Sequence, residues 1–133
     1  MASKKSLPVS SAELDVLRAL WDGGPATLRA AYERLGGRHA YTTVQTLLDR
    51  LVHKGLVRRN QSVRPSLHYA RLSRSEIMRH YVEMMVDKIC DGPAPVVMQL
   101  LRDQQFSAEE LAAIKHLLEK AERSAKGEKH GKS

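Results

Sequence analysis

Three positions in the sequence carry the same signal for the start of an α-helix. In each, a serine precedes a glutamate by three residues and apolar residues flank the pair, which is the pattern of a capping box with a hydrophobic staple. The pairs are Ser10 with Glu13, Ser73 with Glu76, and Ser107 with Glu110. A chain of 133 residues with three such starts is predicted to be mainly α-helical.

The first half of the chain is predicted to hold three helices separated by glycine-rich breaks. The first begins after Ser10 and ends at residues 22–25, where two glycines permit a turn and Pro25 cannot continue the helix. A short second helix is predicted over residues 27–35 and ends at Gly36 and Gly37. The third is predicted from Tyr41 to Gly55, a glycine at the position where helices commonly end.

The third predicted helix has two distinct faces. Apolar residues recur at the spacing of one helical stripe, so they are expected to pack inward. They are Val44, Leu47, Leu48, Leu51 and Val52. The same spacing turns outward a set of hydroxyl, carboxylate, guanidinium and imidazole side chains, several of which can donate to phosphates or base edges. These are Thr42, Thr43, Thr46, Asp49, Arg50 and His53.

Two local contacts of this helix have alternatives. Thr42 and Gln45 have the spacing of a capping box, which would occupy the Thr42 hydroxyl, whereas Ala40 is the alternative N-cap residue. Asp49 is expected to pair with His53 one turn later or with a neighbour of Arg50, which would reduce non-specific attraction to polyanions.

Two short strands are predicted after Gly55, over residues 56–60 and 67–72, joined by a loop with a basic tip. Three helices followed by a two-stranded wing is the order of a winged helix-turn-helix domain, here residues 9–72, in which the third helix enters the major groove and the wing lies along the DNA backbone. Cationic side chains at the helix end and in the wing are predicted to contact that backbone. They are Lys54, Arg58, Arg59 and Arg64.

The charge distribution agrees with this assignment. Residues 1–72 contain twelve basic and five acidic side chains, whereas residues 73–133 contain ten of each, so the first part carries the whole formal charge of +7. Between residues 38 and 71, seven basic groups and the histidines His39, His53 and His68 surround one acid, Asp49. Such clustering is typical of a surface that binds a polyanion. A solvated basic surface that serves solubility is the alternative.

Residues 73–125 are predicted to form a helical dimerisation region, with helices over about 74–90, 95–103 and 108–125. The first of these is apolar around most of its circumference and the last has one apolar stripe, so a partner subunit is expected to cover them. The predicted interface residues are Ile77, Tyr81, Met84, Met85, Ile89, Leu111, Ile114 and Leu118. Residues 1–8 are predicted to be a flexible arm and residues 126–133 a flexible basic tail.

Several classes of protein are excluded by what the sequence lacks. Cys90 is the single cysteine, so neither an intrachain disulfide nor a multi-cysteine metal site can form, and Cys90 itself is expected to be a buried thiol rather than a redox link between subunits. No apolar run is long enough for a membrane span or a secretion signal, which predicts a cytoplasmic protein. The six scattered histidines and the absence of hydrolase or nucleotide-binding motifs indicate a protein that is not an enzyme and needs neither metal nor cofactor.

The segment YTTVQTLLDRLVHKGL, residues 41–56, resembles the recognition helix of the BlaI/MecI family of bacterial penicillinase repressors. Upstream residues resemble the first two helices of that family, and the likeness extends over about residues 8–123. These residues are Glu13, Leu14, Val16, Leu17, Leu20, Trp21, Pro25 and Thr27. The resemblance implies a homodimeric repressor that places two recognition helices on a palindromic operator of double-stranded DNA. It also implies that Thr42, Thr43, Thr46 and Arg50 lie at operator-contacting positions.

The sequence departs from the family pattern in two places. Family members that respond to β-lactams are cut by a membrane sensor protease at an Asn-Phe bond in the fifth helix, where this sequence has Gln99-Leu100, so the inducing signal stays open. The cysteine-rich zinc motif of the copper-responsive relatives cannot form with Cys90 alone. The alternative functions are a winged-helix module for protein contacts and a non-specific nucleic-acid-binding protein, and a steep salt dependence of DNA binding would separate DNA binding from protein contacts.

Overall fold

The computed structural model describes residues 9–131, and for residues 128–131 the backbone alone. The predicted arm, residues 1–8, and the last two residues of the predicted tail lie outside this range. The chain divides into two compact units between Met85 and Val86. The prediction placed this boundary between residues 72 and 73, so the first unit extends through one more helix than expected.

The first unit contains four helices and a two-stranded sheet in its described part. Their bounds are α1 (Ser11–Gly23), α2 (Leu28–Arg34), α3 (Tyr41–His53), β1 (Val57–Asn60), β2 (Leu67–Ala70) and α4 (Arg74–Met84). Each helix begins within a residue or two of the predicted position. The winged helix-turn-helix order predicted from the sequence is confirmed.

The capping boxes are formed as predicted. At the start of α1, the Ser10 Oγ accepts from the Glu13 amide at 3.0 Å and the Glu13 Oε1 accepts from the Ser10 amide at 2.7 Å. Ser73 and Glu76 close the same box at α4. At α3 the N-cap residue is Ala40, without a side-chain hydrogen bond, so the alternative box between Thr42 and Gln45 is not formed.

The core of the first unit is apolar and lies between α1, α2, α3 and the sheet. The inward stripe predicted for α3 is buried there, with Val52 half-buried beside it. Gly55 has a φ of +80°, a left-handed conformation that favours glycine, and it directs the chain from α3 into β1. The buried apolar residues are Val16, Leu17, Leu20, Ala26, Ala31, Leu35, Val44, Leu47, Leu48, Leu51, Leu56, Val57 and Ile77.

The two strands form an antiparallel wing, in which Arg58 lies opposite Tyr69 and Arg59 opposite His68. Both strands are shorter than predicted, with four residues each. An isolated bridge joins the wing to the connection between α1 and α2, because Ala26 and His68 exchange backbone hydrogen bonds of 3.1 and 2.8 Å. One edge of the wing is therefore fixed to the helical layer.

Helix α4 belongs to the first unit, which corrects two residues of the predicted dimer interface. Ile77 is buried in the apolar core, and Tyr81 packs against that core while its hydroxyl accepts a 2.8 Å hydrogen bond from the Val9 amide. Trp21 in α1 donates from Nε1 to the Leu72 carbonyl at 2.9 Å, just before α4 begins. Ile77 and Tyr81 therefore stabilise the winged-helix unit itself.

The second unit contains α5 (Ala94–Asp103) and α6 (Ala108–Gly131). Residues Met85–Ile89 form a π-helical turn at the junction of the units, where the prediction continued a regular helix to Cys90. Helix α6 is longer than predicted, because the helix continues through residues 126–131, which were assigned to a flexible tail. Cys90 is half-buried rather than fully buried.

Candidate nucleic-acid interface

The outer face of α3 presents the side chains that were predicted from the sequence to be exposed. Thr42, Thr43, Thr46, Arg50 and His53 are all exposed. The first four line, together with one edge of Leu47, a shallow concavity of about 310 Å³. A surface of hydroxyls and one guanidinium is thus held on a rigid helix, whose opposite face is locked in the core.

The three threonines differ in what they can donate. The Thr46 Oγ1 donates to the Thr42 carbonyl at 3.0 Å, the usual bond of a helical threonine to the preceding turn. That proton cannot reach a phosphate in this rotamer, which leaves the methyl group and the oxygen lone pairs of Thr46 for contacts. In the described structure the Thr42 and Thr43 hydroxyls make no hydrogen bond with protein, so both can donate.

Three arginines near this face have no carboxylate partner among the described residues. Arg50 is exposed on α3, and Arg64 is exposed in the loop between the strands. Arg58 lies over the ring of its cross-strand neighbour Tyr69, with 4.9 Å between the guanidinium carbon and the ring centroid. The stacking orients Arg58 without neutralising it, so its charge remains available to a phosphate.

Arg59 differs from the other wing arginines, because its guanidinium is engaged inside the protein. Its Nη2 donates to the Asp49 Oδ1 on α3, and its Nε donates to the His68 Nε2 at 3.2 Å. Asp49 therefore pairs with the wing, and the predicted pairing with His53 or with a neighbour of Arg50 is wrong. Asp49 and Arg59 are ten residues apart and lie on different elements, so helical spacing cannot predict their contact.

His68 is buried in β2 at 4% exposure and is held on both ring nitrogens. Because the Nε2 accepts from Arg59, the proton of the neutral ring lies on Nδ1, which donates to the Ala26 carbonyl at 3.0 Å. Burial lowers the pKa of His68 below 6.5 and the positive charge of Arg59 lowers it further, although the Ala26 carbonyl and Asp49 favour the protonated ring. His68 is thus a neutral link within the fold rather than part of the basic surface.

Lys54 also makes a contact in the interior that was not predicted from the sequence. Its Nζ donates to the Glu13 Oε1 at 2.8 Å, and Glu13 is buried at 2% exposure. Burial raises the pKa of Glu13, but the hydrogen bonds from Lys54 and Ser10 outweigh it, and the net pKa lies below 4.5. Glu13 is therefore ionised, and Lys54 neutralises its charge.

A further cation near α3 escaped the prediction. The guanidinium of Arg29 on α2 lies 5.5 Å from the ring centroid of Tyr41, the first residue of α3, and Tyr41 in turn packs edge-on against Tyr32. Arg29 is exposed. Arg29 lies two residues after Thr27, the N-cap residue of α2. In a helix-turn-helix motif this helix crosses the DNA backbone, so the position of Arg29 could have been recognised from the sequence.

Neither a metal centre nor a membrane span is found in the described residues. No three histidine, cysteine or acidic side chains come together there in a way that could hold an ion. No helix in the same part of the chain has the length and apolar character that a membrane crossing requires.

The order of the elements is that of a winged-helix protein, and the outer face of α3 carries hydroxyls and the guanidinium of Arg50. The sequence pattern of the penicillinase repressors matches residues 9–120, and the chain belongs to that family. It is 24% identical over 119 residues to the penicillinase repressor of Bacillus licheniformis, which covers 87% of this chain and 93% of the relative. It is 23% identical to the methicillin resistance regulatory protein MecI of Staphylococcus aureus (strain N315), over 87% of this chain and 97% of the relative.

Solved structures show the same fold. A MarR family protein from Bacillus stearothermophilus superposes with a TM-score of 0.51 at 19% identity, over 92% of this chain and 79% of that chain. A transcriptional regulator from Thermotoga maritima superposes with a TM-score of 0.50 at 21% identity, over 87% and 78%. Family membership makes this chain a DNA-binding transcriptional repressor and not an enzyme.

Proposed function

We propose that this protein is a dimeric repressor that binds a palindromic operator, with α3 of each subunit in the major groove, and blocks transcription until a signal releases it. The observation that carries the proposal is the outer face of α3. Its hydroxyls and the Arg50 guanidinium, which has no carboxylate partner among the described residues, converge on one concavity, and the wing adds the exposed cations Arg58 and Arg64. Short side chains next to one long donor allow close approach to base edges.

Each exposed residue has a distinct role in this proposal. Arg50 donates to a guanine through both ends of its guanidinium, and Thr43 donates to a phosphate or contacts a thymine methyl. Thr46 offers its methyl group, because its hydroxyl proton is already used. Arg58 and Arg64 hold the backbone beside the groove. Lys54 and Arg59 are not included among the proposed DNA contacts, because they form ion pairs with Glu13 and Asp49.

The second unit supports the dimer. None of residues 86–127, whose side chains are described, is buried, although the unit carries many large apolar residues. Exposed apolar surface of this extent is costly in water and is typical of a subunit interface. The apolar residues at least 45% exposed in this unit are Ile89, Val97, Met98, Leu100, Leu101, Leu111, Leu117 and Leu118.

A dimer explains how occupancy alone can repress. Two-fold symmetry presents two α3 helices to inverted half-sites about one turn of DNA apart, and the bound dimer obstructs polymerase without any chemistry. Release therefore acts on dimer stability, dimer geometry or the lifetime of the protein. A sensor protease is not carried into the proposal, because Gln99 and Leu100 replace the bond cut in the β-lactam-responsive relatives and lie within α5.

Selection of bound fragments from the source genome by the purified full-length protein tests the proposal. We expect the enriched fragments to share a palindrome that hydroxyl-radical footprinting shows to be protected on both half-sites. The protein in which Arg50 is replaced by alanine, treated in parallel, should lose discrimination at one position in each half-site, at a cost of about 1–3 kcal/mol.

Two outcomes contradict different parts of the proposal. An enriched motif without two-fold symmetry contradicts the dimer on a palindrome. Fragments without any shared motif, bound with a steep loss of affinity as salt rises, identify a non-specific nucleic-acid-binding protein. Failure to retain any duplex at low ionic strength identifies a winged helix used for protein contacts.

A further inference from the structure

One chain of side-chain contacts links the recognition helix to the wing and to the helical layer behind them. Asp49 on α3 accepts from Arg59 on β1, Arg59 donates to His68 on β2, and the His68 Nδ1 donates to the Ala26 carbonyl just before α2. The backbones of Ala26 and His68 are paired as well. Four segments of the first unit therefore meet through one guanidinium and one imidazole.

In this series of side-chain contacts, each donor has one acceptor that fits it. The guanidinium of Arg59 is always charged and cannot accept, so its Nε must donate to the unprotonated nitrogen of His68. The second ring nitrogen then donates to a carbonyl, which fixes the ring plane. The Arg59 side chain is 26% exposed, whereas Asp49 is 57% exposed. Arg59 follows Arg58 directly in β1, so the two side chains point to opposite faces of the wing.

The wing needs such an anchor. A hairpin of two four-residue strands is marginally stable by itself. On its α2 side, the bridge between Ala26 and His68 holds it to the helical layer. On its α3 side, the Asp49 carboxylate is the ion-pair partner that the described residues offer to β1. Because Val57 fixes the start of β1 in the core, loss of that carboxylate would free the strand beyond Val57 to shift relative to α3.

We propose that Asp49 and Arg59 are positioning residues. They hold the wing in the position relative to α3 that lets Arg58 and Arg64 contact the DNA backbone while α3 lies in the major groove. This inference rests on the proposed function, since it assumes that α3 and the wing bind one duplex. The competing explanation is that Arg59 contacts a phosphate directly and that Asp49 only weakens non-specific attraction to DNA.

The variant Asp49→Asn separates the two explanations, because they predict opposite signs. The substitution removes a negative charge from the DNA-facing side of α3, so simple electrostatics predicts tighter binding to every duplex. If Asp49 is a positioning residue, Asp49→Asn weakens binding to the selected operator about tenfold while binding to an unrelated duplex is unchanged or stronger. Fluorescence anisotropy with both duplexes at one salt concentration gives the two affinities.

Four further variants complete the design. Asp49→Glu keeps the carboxylate and should restore operator affinity to within about threefold of the wild type. The double variant Asp49→Asn/Arg59→Gln should bind the operator no more weakly than the weaker of the single variants Asp49→Asn and Arg59→Gln, because both changes break the link between α3 and β1. Asp22→Asn is the matched control: Asp22 is also exposed and pairs with an arginine, Arg74, but it joins α1 to the start of α4.

A footprint reports the wing position directly. On the operator, Asp49→Asn should lose hydroxyl-radical protection at the flanking backbone contacted by the wing and keep protection at the half-site contacted by α3. Loss of protection at both places would show that α3 itself has been displaced, which contradicts a role confined to the wing. Circular dichroism and the thermal midpoint identify any variant that is unfolded. If Asp49→Asn is unfolded, Asp49→Ser, which also removes the carboxylate, takes its place in the comparison.

The failures of this inference and of the proposed function are distinguishable. If the wild type protects no duplex, the proposed function fails. If the wild type protects the operator and Asp49→Asn binds it as tightly or more tightly, with an unchanged footprint, the positioning role of Asp49 and Arg59 is refuted while the repressor function stands.

Discussion

Glu13 is a charged side chain held inside the core by a single lysine at the end of the recognition helix. Its Oε2 has no hydrogen-bond partner in the structure, so Lys54 and Ser10 carry the stabilisation of the charge through Oε1. We expect Lys54→Met to destabilise the protein by about 2–3 kcal/mol, somewhat less than removal of one partner from a fully buried pair, since Lys54 is partly exposed. Urea denaturation at pH 7 measures this.

The double variant Glu13→Gln/Lys54→Met is the control for that prediction. Because both charges are absent, the double variant should be more stable than Lys54→Met alone. An equal or greater loss of stability in the double variant would mean that the lysine acts through packing of its methylene groups and not through the charge of Glu13.

His68 makes the stability of the fold depend on pH. Its pKa is lowered in the folded state, so the unfolded chain binds a proton more readily between the folded-state pKa and 6.5. The contribution of the neutral ring to stability is therefore complete above about pH 6.5 and is lost as the pH falls through the folded-state pKa. Asp49 and Arg59 are the charged groups that face the ring, and their opposite effects are included in this shift.

Unfolding free energies measured in urea between pH 8 and pH 5 test this behaviour. The His68→Gln variant should be less stable at pH 8 and should show a smaller loss of stability on acidification than the wild type. His53→Gln, at an exposed position on α3, controls for the loss of a histidine. Parallel curves for the wild type and His68→Gln would contradict the role assigned to the buried ring.

At the scale of elements, the faces of α3 were predictable because helical periodicity is local. The spacing of five apolar residues identified the buried side and, by exclusion, the exposed side. The helix starts were predictable for the same reason, since a serine and a glutamate three residues apart form the capping box by themselves. The surface proposed to contact DNA could therefore be predicted from short-range rules.

Contacts between elements were not predictable in this way. The partner of Asp49 depends on the register of β1 relative to α3, and the role of Lys54 depends on α1, 41 residues earlier in the chain. An apolar stripe also does not reveal what covers it. Ile77 and Tyr81 were assigned to a partner subunit, whereas Ile77 is buried in the core of its own unit and Tyr81 is half-buried against that core.

The arginines of the wing and Arg50 of α3 should affect DNA binding differently. Replacement of Arg58 or Arg64 by alanine should weaken binding to all duplexes alike and reduce the slope of log affinity against log salt by about 1 for each lost phosphate contact. Anisotropy titrations at several KCl concentrations give that slope. Arg102→Ala, which changes an exposed arginine of α5, is the charge-matched control. A change of base preference at one position, without a change of slope, would place the arginine in the groove.

At the scale of the whole molecule, the second unit leaves apolar helix faces exposed, which the proposed dimer would cover. Apolar residues of α6 such as Leu117 and Leu118 are 62% and 59% exposed. Helices with a continuous exposed apolar stripe gain stability chiefly by packing against another element. In the proposed dimer, a second copy of the chain would provide a matching stripe by symmetry.

A single substitution on that stripe should separate the subunits. We expect Leu118→Glu to raise the dissociation constant of the dimer at least about tenfold, because a carboxylate must then be buried in an apolar contact. Ala112→Glu places the same acid on the opposite face of α6 and should leave the dimer intact. Sedimentation equilibrium measures both constants. Equal constants for the two variants would show that the Leu118 stripe is not the interface.

The outer face of α3 is the central element of the account, and one binding measurement tests it most directly. At low ionic strength, the wild type should bind the selected operator far more tightly than an unrelated duplex of equal length. The double variant Thr43→Ala/Arg50→Ala, with its fold verified by circular dichroism, should bind both duplexes with the same weak affinity. A double variant that still prefers the operator as strongly as the wild type would contradict the assignment of sequence recognition to α3.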